Sequence, residues 1–346
     1  MKKALTTAGF VIFSFMLPMK AIASNFSQFY VFGDSLSDTG NVFNASEGLV
    51  PPQPPYSEGR FSNGKIWVDF VGDEIGLIPT TFIPPQTNIP TEGVNFAIGG
   101  SSTGLDNALI PDPNLPGILG QVGLFTQNLQ ENSQQADPNA LYAIWGGAND
   151  YLFGNVTDPN QTVGNLSNAI GSLAQAGAKN IAVFNLPDLG RIPFATPRGD
   201  EFSAGLTQLT DAHNALLDQA LNSFDENSDV NIIPIDINSL FSRVVANPGE
   251  FGFSQDPASS CVIGFIGNIV DNCINPNGSF FSEAIDPNEF IFFDEFHPTS
   301  KSHRLVADAT LSAIKHKTVP EPSTIFSILA IGAISTVGLL KRKGKK

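Results

Sequence analysis

The sequence predicts an α/β domain in which a mainly parallel sheet is covered by helices on both faces. Three observations carry this expectation. Short apolar segments without polar alternation recur along the chain, helical patterns lie between them, and several of the segments end at polar, glycine-bearing turns. A strand buried on both faces has no solvent side and so loses the alternation of a half-exposed sheet. Parallel pairing also needs long crossovers, which the intervening helices supply.

The elements follow in order. Phe29-Tyr30-Val31-Phe32 is aromatic and β-branched and is closed by Gly33, so it reads as the first buried strand. A helix over Lys65–Ile75 precedes the second strand, Gly93–Ile98, and a helix over Gly120–Leu129 precedes the third, Leu141–Trp145. Val163–Ala178 sets Leu166, Ile170 and Leu173 on one helical face and leads to the fourth strand, Ile181–Phe184. Phe202–Phe224 carries Leu206, Leu209, His213, Leu216 and Leu217 and leads to the fifth, Val230–Ile235. A last helix runs from Pro298, whose fixed φ suits a first helical position, to about Lys315. The Pro-rich stretches Pro51–Pro55 and Pro79–Pro90 are loops, and 247–289 reads as an insertion over one end of the sheet.

Both ends of the chain read as addresses. Lys2 and Lys3 precede an apolar run from Ala4 to Pro18 and then Ala21-Ile22-Ala23, the pattern of a signal peptide over residues 1–23 with cleavage before Ser24. At the other end a charge-free run over 325–340 precedes Lys341-Arg342-Lys343. It is shorter than the roughly 20 residues that span a bilayer comfortably, and snorkelling lysines extend its reach as a short transmembrane segment. Val319-Pro320-Glu321-Pro322-Ser323 stands immediately before it. The three parts in this order resemble the PEP-CTERM tail that hands exported proteins to a sorting peptidase at the membrane; a plain tail anchor is the alternative. The expectation is one domain over 24–317 and a tail over 318–346, exported to the cell envelope or surface, or secreted after tail processing.

The formal net charge is −15, and many of the basic residues lie in the two ends, so the central segment is more acidic still. Such a surface repels nucleic acid and anionic head groups. The two cysteines, Cys261 and Cys273, lie in a Gly/Asn-rich stretch and read, in an exported protein, as one local disulfide. With no histidine nearby they make a poor metal site. No nucleotide loop, metal cluster or haem motif is visible, and the expectation is that no cofactor or metal is used.

The chemistry gathers at the strand ends. Gly33-Asp34-Ser35-Leu36-Ser37-Asp38-Thr39-Gly40-Asn41 follows the first strand. Alone, Gly-Asp-Ser is more simply a polar turn with a capping serine. A serine hydroxyl becomes a nucleophile only when a base takes its proton. Of the four histidines, His213, His297, His303 and His316, only His297 has a carboxylate placed to orient it, in Asp294-Glu295-Phe296-His297-Pro298. Asp294 could accept the Nδ1 proton and leave Nε2 for a serine. His213 reads as packing or surface, and His303 and His316 as solvated. Gly100, Asn149 and the Ser35 N–H are candidate donors to an oxyanion. A rival serine, Ser102 in Gly100-Ser101-Ser102-Thr103-Gly104, matches the nucleophile-elbow pattern, but a proline-rich loop follows where that turn requires a helix.

These motifs resemble those of the GDSL lipases and esterases, also called SGNH hydrolases. The blocks are Gly33–Asn41, Asn95-Phe96-Ala97-Ile98-Gly99-Gly100, Gly147-Ala148-Asn149-Asp150 and Asp294–Pro298, while Asn185–Pro193 and Gly59–Gly64 are similar to stretches of larger members. The resemblance implies a flavodoxin-like three-layer α/β/α sandwich on a mainly parallel five-stranded sheet. It implies ester hydrolysis with Ser35 as nucleophile, His297 as base, Asp294 orienting it, and Ser35, Gly100 and Asn149 as oxyanion donors. Gly99, adjacent to Gly100, stays open as the glycine donor. Asp34 and Asp150 are assigned to bonding loop backbone. An acyltransferase using the same site, and a non-catalytic surface or matrix binding protein, are the other readings. A lipid or sugar ester, or another small ester, would be the substrate. Phe280-Phe281 and Phe290-Ile291-Phe292-Phe293 would hold an acyl chain or form core, and their composition favours core.

Overall fold

The computed structural model describes residues 26–82, 92–227, 229–264, 270–271, 273 and 286–318. The expected signal peptide, the sorting tail beyond Thr318 with its 325–340 run, and Phe280-Phe281 lie outside the described residues. Among the described residues no helix is long and apolar enough to cross a membrane.

Six strands form the main sheet: β1 Phe29–Gly33, β2 Thr80–Thr81, β3 Val94–Asn95, β4 Leu141–Trp145, β5 Asn180–Phe184 and β6 Asn231–Ile235. Their order is β2-β3-β1-β4-β5-β6 and every pairing is parallel. The sequence predicts five strands; the sixth is the edge strand β2, two residues that carry no pattern to read. β3 is shorter than Gly93–Ile98. Past Asn95, Phe96 N–H and Ile98 N–H still reach β1, but Ala97 N–H donates to Asn95 Oδ1, which breaks the regular ladder.

The helices are α1 Asn41–Ala45, α2 Trp67–Ile75, α3 Ile118–Glu131, α4 Ala148–Leu152, α5 Pro159–Ala176, α6 Asp200–Asn227, α7 Ile237–Ala246 and α8 Ser300–Thr318. α5 begins ahead of the apolar periodicity because Asp158 caps the Asn160 N–H and Pro159 occupies its first turn; Gly177, at φ +114°, ends it. α7 is absent from the sequence-based expectation. It is capped by Asp236 and turns Ile237, Leu240, Phe241 and Val244 inward at helical spacing. α8 starts at Ser300 and not at Pro298, because Pro298 bridges Phe292 and Thr299 Oγ1 takes the Ser302 N–H. Within 247–289 the described residues include a short antiparallel pair, β7 Val262–Ile263 and β8 Val270–Asp271.

The three layers follow from the two faces of the central strands. Phe29 and Val31 of β1 pack with α2, α7 and α8, where Trp67, Val71, Leu240 and Val306 are buried. Tyr30 and Phe32 face the other way onto α3 and α5, against Phe125 and Leu166. Trp67, Trp145 and Phe184 lie ring against ring under the first layer, with centroids 4.6 Å apart for Trp67–Phe184 and 4.9 Å for Trp145–Phe184.

Register then places the loops. Gly33 pairs with Trp145, so β1 and β4 end side by side. The chain leaves β1 toward β3 and β2 but leaves β4 toward β5 and β6, so a crevice opens between them. The end of β1 is held by one buried side chain: Gln121 of α3 accepts from Gly33 N–H (2.9 Å) and donates to Gly33 O (2.8 Å) and Ser101 Oγ (2.9 Å). Gln121→Leu would take the acceptor from the buried Gly33 N–H, while Gly33 O keeps the Ile98 N–H and Ser101 Oγ keeps Pro116 O, so the cost is that of one unpaired group, about 1–3 kcal/mol. Urea unfolding should show a loss in that range, whereas an unchanged midpoint would mean the Gly33 end needs no such clamp.

Candidate active site

Three strand-end loops and the segment before α8 meet at this edge. Ser35 follows β1, Gly99 and Gly100 follow β3, Asn149 opens α4 after β4, and Asp294 and His297 precede α8. All of these are buried, Asp294 fully so. His297 Nε2 lies 2.7 Å from Ser35 Oγ, and His297 Nδ1 lies 2.7 Å from Asp294 Oδ2. Asp294 Oδ1 accepts from the N–H groups of Phe296 and His297, both at 2.8 Å. The turn that puts the Asp beside the His is therefore closed by the Asp itself.

A residue the sequence reading missed completes this carboxylate. Tyr56, in the Pro-rich loop, donates its hydroxyl to Asp294 Oδ2 at 2.6 Å. No motif signals it, since the two residues meet only through the fold. Burial raises the Tyr56 hydroxyl pKa far above its ordinary value, and the Asp294 charge adds to this, so it remains a donor. For Asp294, burial pushes the carboxyl up, but the His297 ring and the Tyr56 hydroxyl outweigh it, and it sits below the usual carboxylate range.

The block Gly59–Gly64 clamps the histidine. Phe61 stacks on the His297 ring with centroids 5.3 Å apart, Ser62 Oγ donates to Pro298 O (2.9 Å), and Asn63 Oδ1 takes the Ser300 N–H (2.8 Å). Arg60 anchors the block by a two-pronged contact with Asp69 of α2, both bonds at 2.7 Å.

The oxyanion side rests on another buried carboxylate. Asp38 accepts from the N–H groups of Gly40 (2.8 Å), Asn41 (2.6 Å) and Val42 (3.1 Å), and from Gly99 in the loop after β3 (2.9 Å). The Gly99 N–H is thereby spent. Gly100 lines the cavity at φ +80°, where an added Cβ would meet Asn107 Oδ1 at 2.6 Å. Asn149 gives one amide N–H to Ser101 O (3.0 Å), which leaves its second for the cavity it also lines. Asp150 is bonded to Thr103 N–H (2.9 Å) and Oγ1 (2.7 Å), and Asp34 accepts from Leu36 N–H (3.0 Å). The rival Ser102 instead donates to Asp106 O (2.6 Å) and accepts from Gly104 N–H.

Of the other histidines, His316 is exposed. His213 is buried against Gly147, with Nδ1 2.9 Å from the Tyr151 hydroxyl, and props the loop that carries Asn149. His303 corrects the sequence reading. It is buried and not solvated, because α8 turns this face onto the core, and neither ring nitrogen meets a partner among the described residues. Cys261 and Cys273 form a disulfide that packs with Tyr56, Phe290 and Phe293 behind Asp294.

The profile of the family described as GDSL-like Lipase/Acylhydrolase matches residues 29–310. The phosphatidylcholine-sterol acyltransferase of Aeromonas hydrophila is 33% identical over 68% of this chain and 65% of its own. Esterase EstA of Pseudomonas aeruginosa is 30% identical over 91% of this chain and 50% of its own. The chain thus spans about half to two thirds of the length of these relatives.

Burial lowers the His303 pKa to about 3, with the nearby His297 adding to the effect, against an ordinary value of 6.5. The folded chain then binds fewer protons than the unfolded one between those values, so this residue's contribution to stability falls as pH drops from 6.5 toward 3. Asp34 and Asp38, pushed up by burial to about 7 and about 6, act in the opposite sense, so wild type and variant must be compared. His303→Leu should gain on wild type by up to about 1.4 kcal/mol per pH unit as pH falls through that window. Urea titrations at several pH values test this, and a pH-independent difference would contradict it.

Proposed function

The chain belongs to the GDSL-like lipase/acylhydrolase family, and from that premise we propose that it hydrolyses carboxylic esters through an acyl-enzyme on Ser35. The observation that carries this reading is the 2.7 Å contact from His297 Nε2 to Ser35 Oγ, continued at 2.7 Å to a buried Asp294. Ser35 Oγ attacks the ester carbon as His297 takes its proton, and Asp294 stabilises the imidazolium that forms. The carbonyl oxygen becomes an oxyanion facing the N–H groups of Ser35 and Gly100 and the Asn149 amide. Collapse expels the alcohol, which receives the proton from His297. Water then repeats the sequence and releases the acid.

Transfer of the acyl group to another alcohol would use the same site, and the likeness to a relative named as an acyltransferase favours it as the second reading. The intact Ser35, Asn149, Asp294 and His297 argue against a purely non-catalytic binding role. Export by residues 1–23, a mature domain over 24–317, and delivery of tail 318–346 to a sorting peptidase at the cell envelope belong to the same proposal. They rest on the sequence pattern, and the Cys261–Cys273 disulfide suits an oxidising compartment.

Ser35→Ala should lower kcat on p-nitrophenyl esters by roughly 10⁴-fold or more while the protein stays folded. Full activity in that variant would end the proposal. Tyr56→Phe removes a donor from Asp294, concentrates its charge on His297, and should move the acid limb of the kcat/KM profile to higher pH. A uniform loss of rate with the limb unmoved would reduce Tyr56 to packing.

A further inference from the structure

The cavity that opens on Ser35, Asn149 and His297 does not stop at the catalytic edge. It continues inward between the end of the sheet and the two helices α7 and α8. There Leu240, Phe241 and Val244 of α7 line it together with Ile291, Leu305 and Val306. All but Leu305 are buried to the degree of ordinary core residues. Protein interiors pack about as densely as organic crystals, and a void forfeits dispersion contacts on every wall. An apolar void continuous with a nucleophile is thus a feature that packing alone would remove.

We propose that this inner arm is an acyl-binding tunnel, so that the substrate is the ester of an unbranched fatty acid and not an acetylated sugar. The inference rests on the hydrolase reading of Ser35. Two points fix the direction. The acyl group stays on the serine while the alcohol must leave, so the arm walled by core residues suits the acyl part. The more exposed part of the lining, at Val50, Leu109 and Ile110, is half-buried and suits the departing alcohol. The chemistry of the walls selects the ligand. Besides Ser35, the hydroxyl lining the cavity is that of Ser302, which already donates to Ile291 O at 2.6 Å. A hydroxylated group there would surrender water without replacement, whereas each methylene gains by leaving it.

The tunnel assigns specificity to residues outside the catalytic blocks, with Val244 on α7 as a size gate. The test compares kcat/KM for p-nitrophenyl decanoate and acetate in the full chain and in Val244→Phe. Wild type should favour decanoate, and the added ring should cut the decanoate-to-acetate ratio by roughly tenfold or more. A wild-type preference for acetate, or an unchanged ratio in folded Val244→Phe, would overturn the tunnel. A second measurement needs neither turnover nor the α7 variant: calorimetric titration of Ser35→Ala with decanoate. Saturable binding supports the tunnel, and its absence rejects it. If wild type cleaves neither ester yet Ser35→Ala binds decanoate, the hydrolase reading falls and the tunnel stands.

Discussion

In a parallel sheet every strand leaves by the same edge, and in this order the chain departs from β1 and β4 in opposite directions. The rest of the molecule depends on that constraint. Ser35, Gly100 and Asn149 are far apart in the sequence, yet they follow three neighbouring strands. Gly33 level with Trp145 makes the loops start from one line. The final segment reaches the same edge by its own pairing, with Phe293 N–H donating to His297 O at 2.7 Å and Pro298 bridging Phe292.

An edge made from loops is poor in regular hydrogen bonds, and this one is held instead by buried carboxylates that collect backbone N–H groups. Asp38 joins the nucleophile loop to the loop after β3, and Asp150 joins that loop to α4. Their protonation behaviour differs from that of Asp294 for a physical reason. Burial penalises every buried carboxylate, and neutral N–H donors only partly offset it, so Asp34, Asp38 and Asp150 are pushed up. The charge of His297 also reaches Asp34, but Asp294 alone adds direct hydrogen bonds from the His297 ring and the Tyr56 hydroxyl, and it alone among these four is drawn down. The orienting carboxylate is thus set apart by its partner and not by its degree of burial.

The apolar run before Asp294 shows how one segment serves two surroundings. Ile291 and Phe292 face the main core and the cavity. Phe290 and Phe293 turn to the disulfide and Tyr56. By composition this run fits either a chain-binding surface or core, with core favoured. Ile291 and Phe292 are core and cavity wall at once, because the cavity lies inside the core.

The sequence by itself determined the α/β class, the order of the long elements and the four blocks, because apolar period and turn chemistry are local properties of the chain. It did not reveal β2, α7 or the true start of α8, whose signals are short or depend on a cap. Neither Tyr56 beside Asp294, nor Gly99 bound to Asp38, nor His303 inside the core was legible. Those facts are contacts between residues remote in sequence, or the facing of a helix toward whatever packs on it. Only the tertiary structure decided them, since a side chain's environment is set by the neighbours that the fold brings to it and not by the residues beside it in the chain.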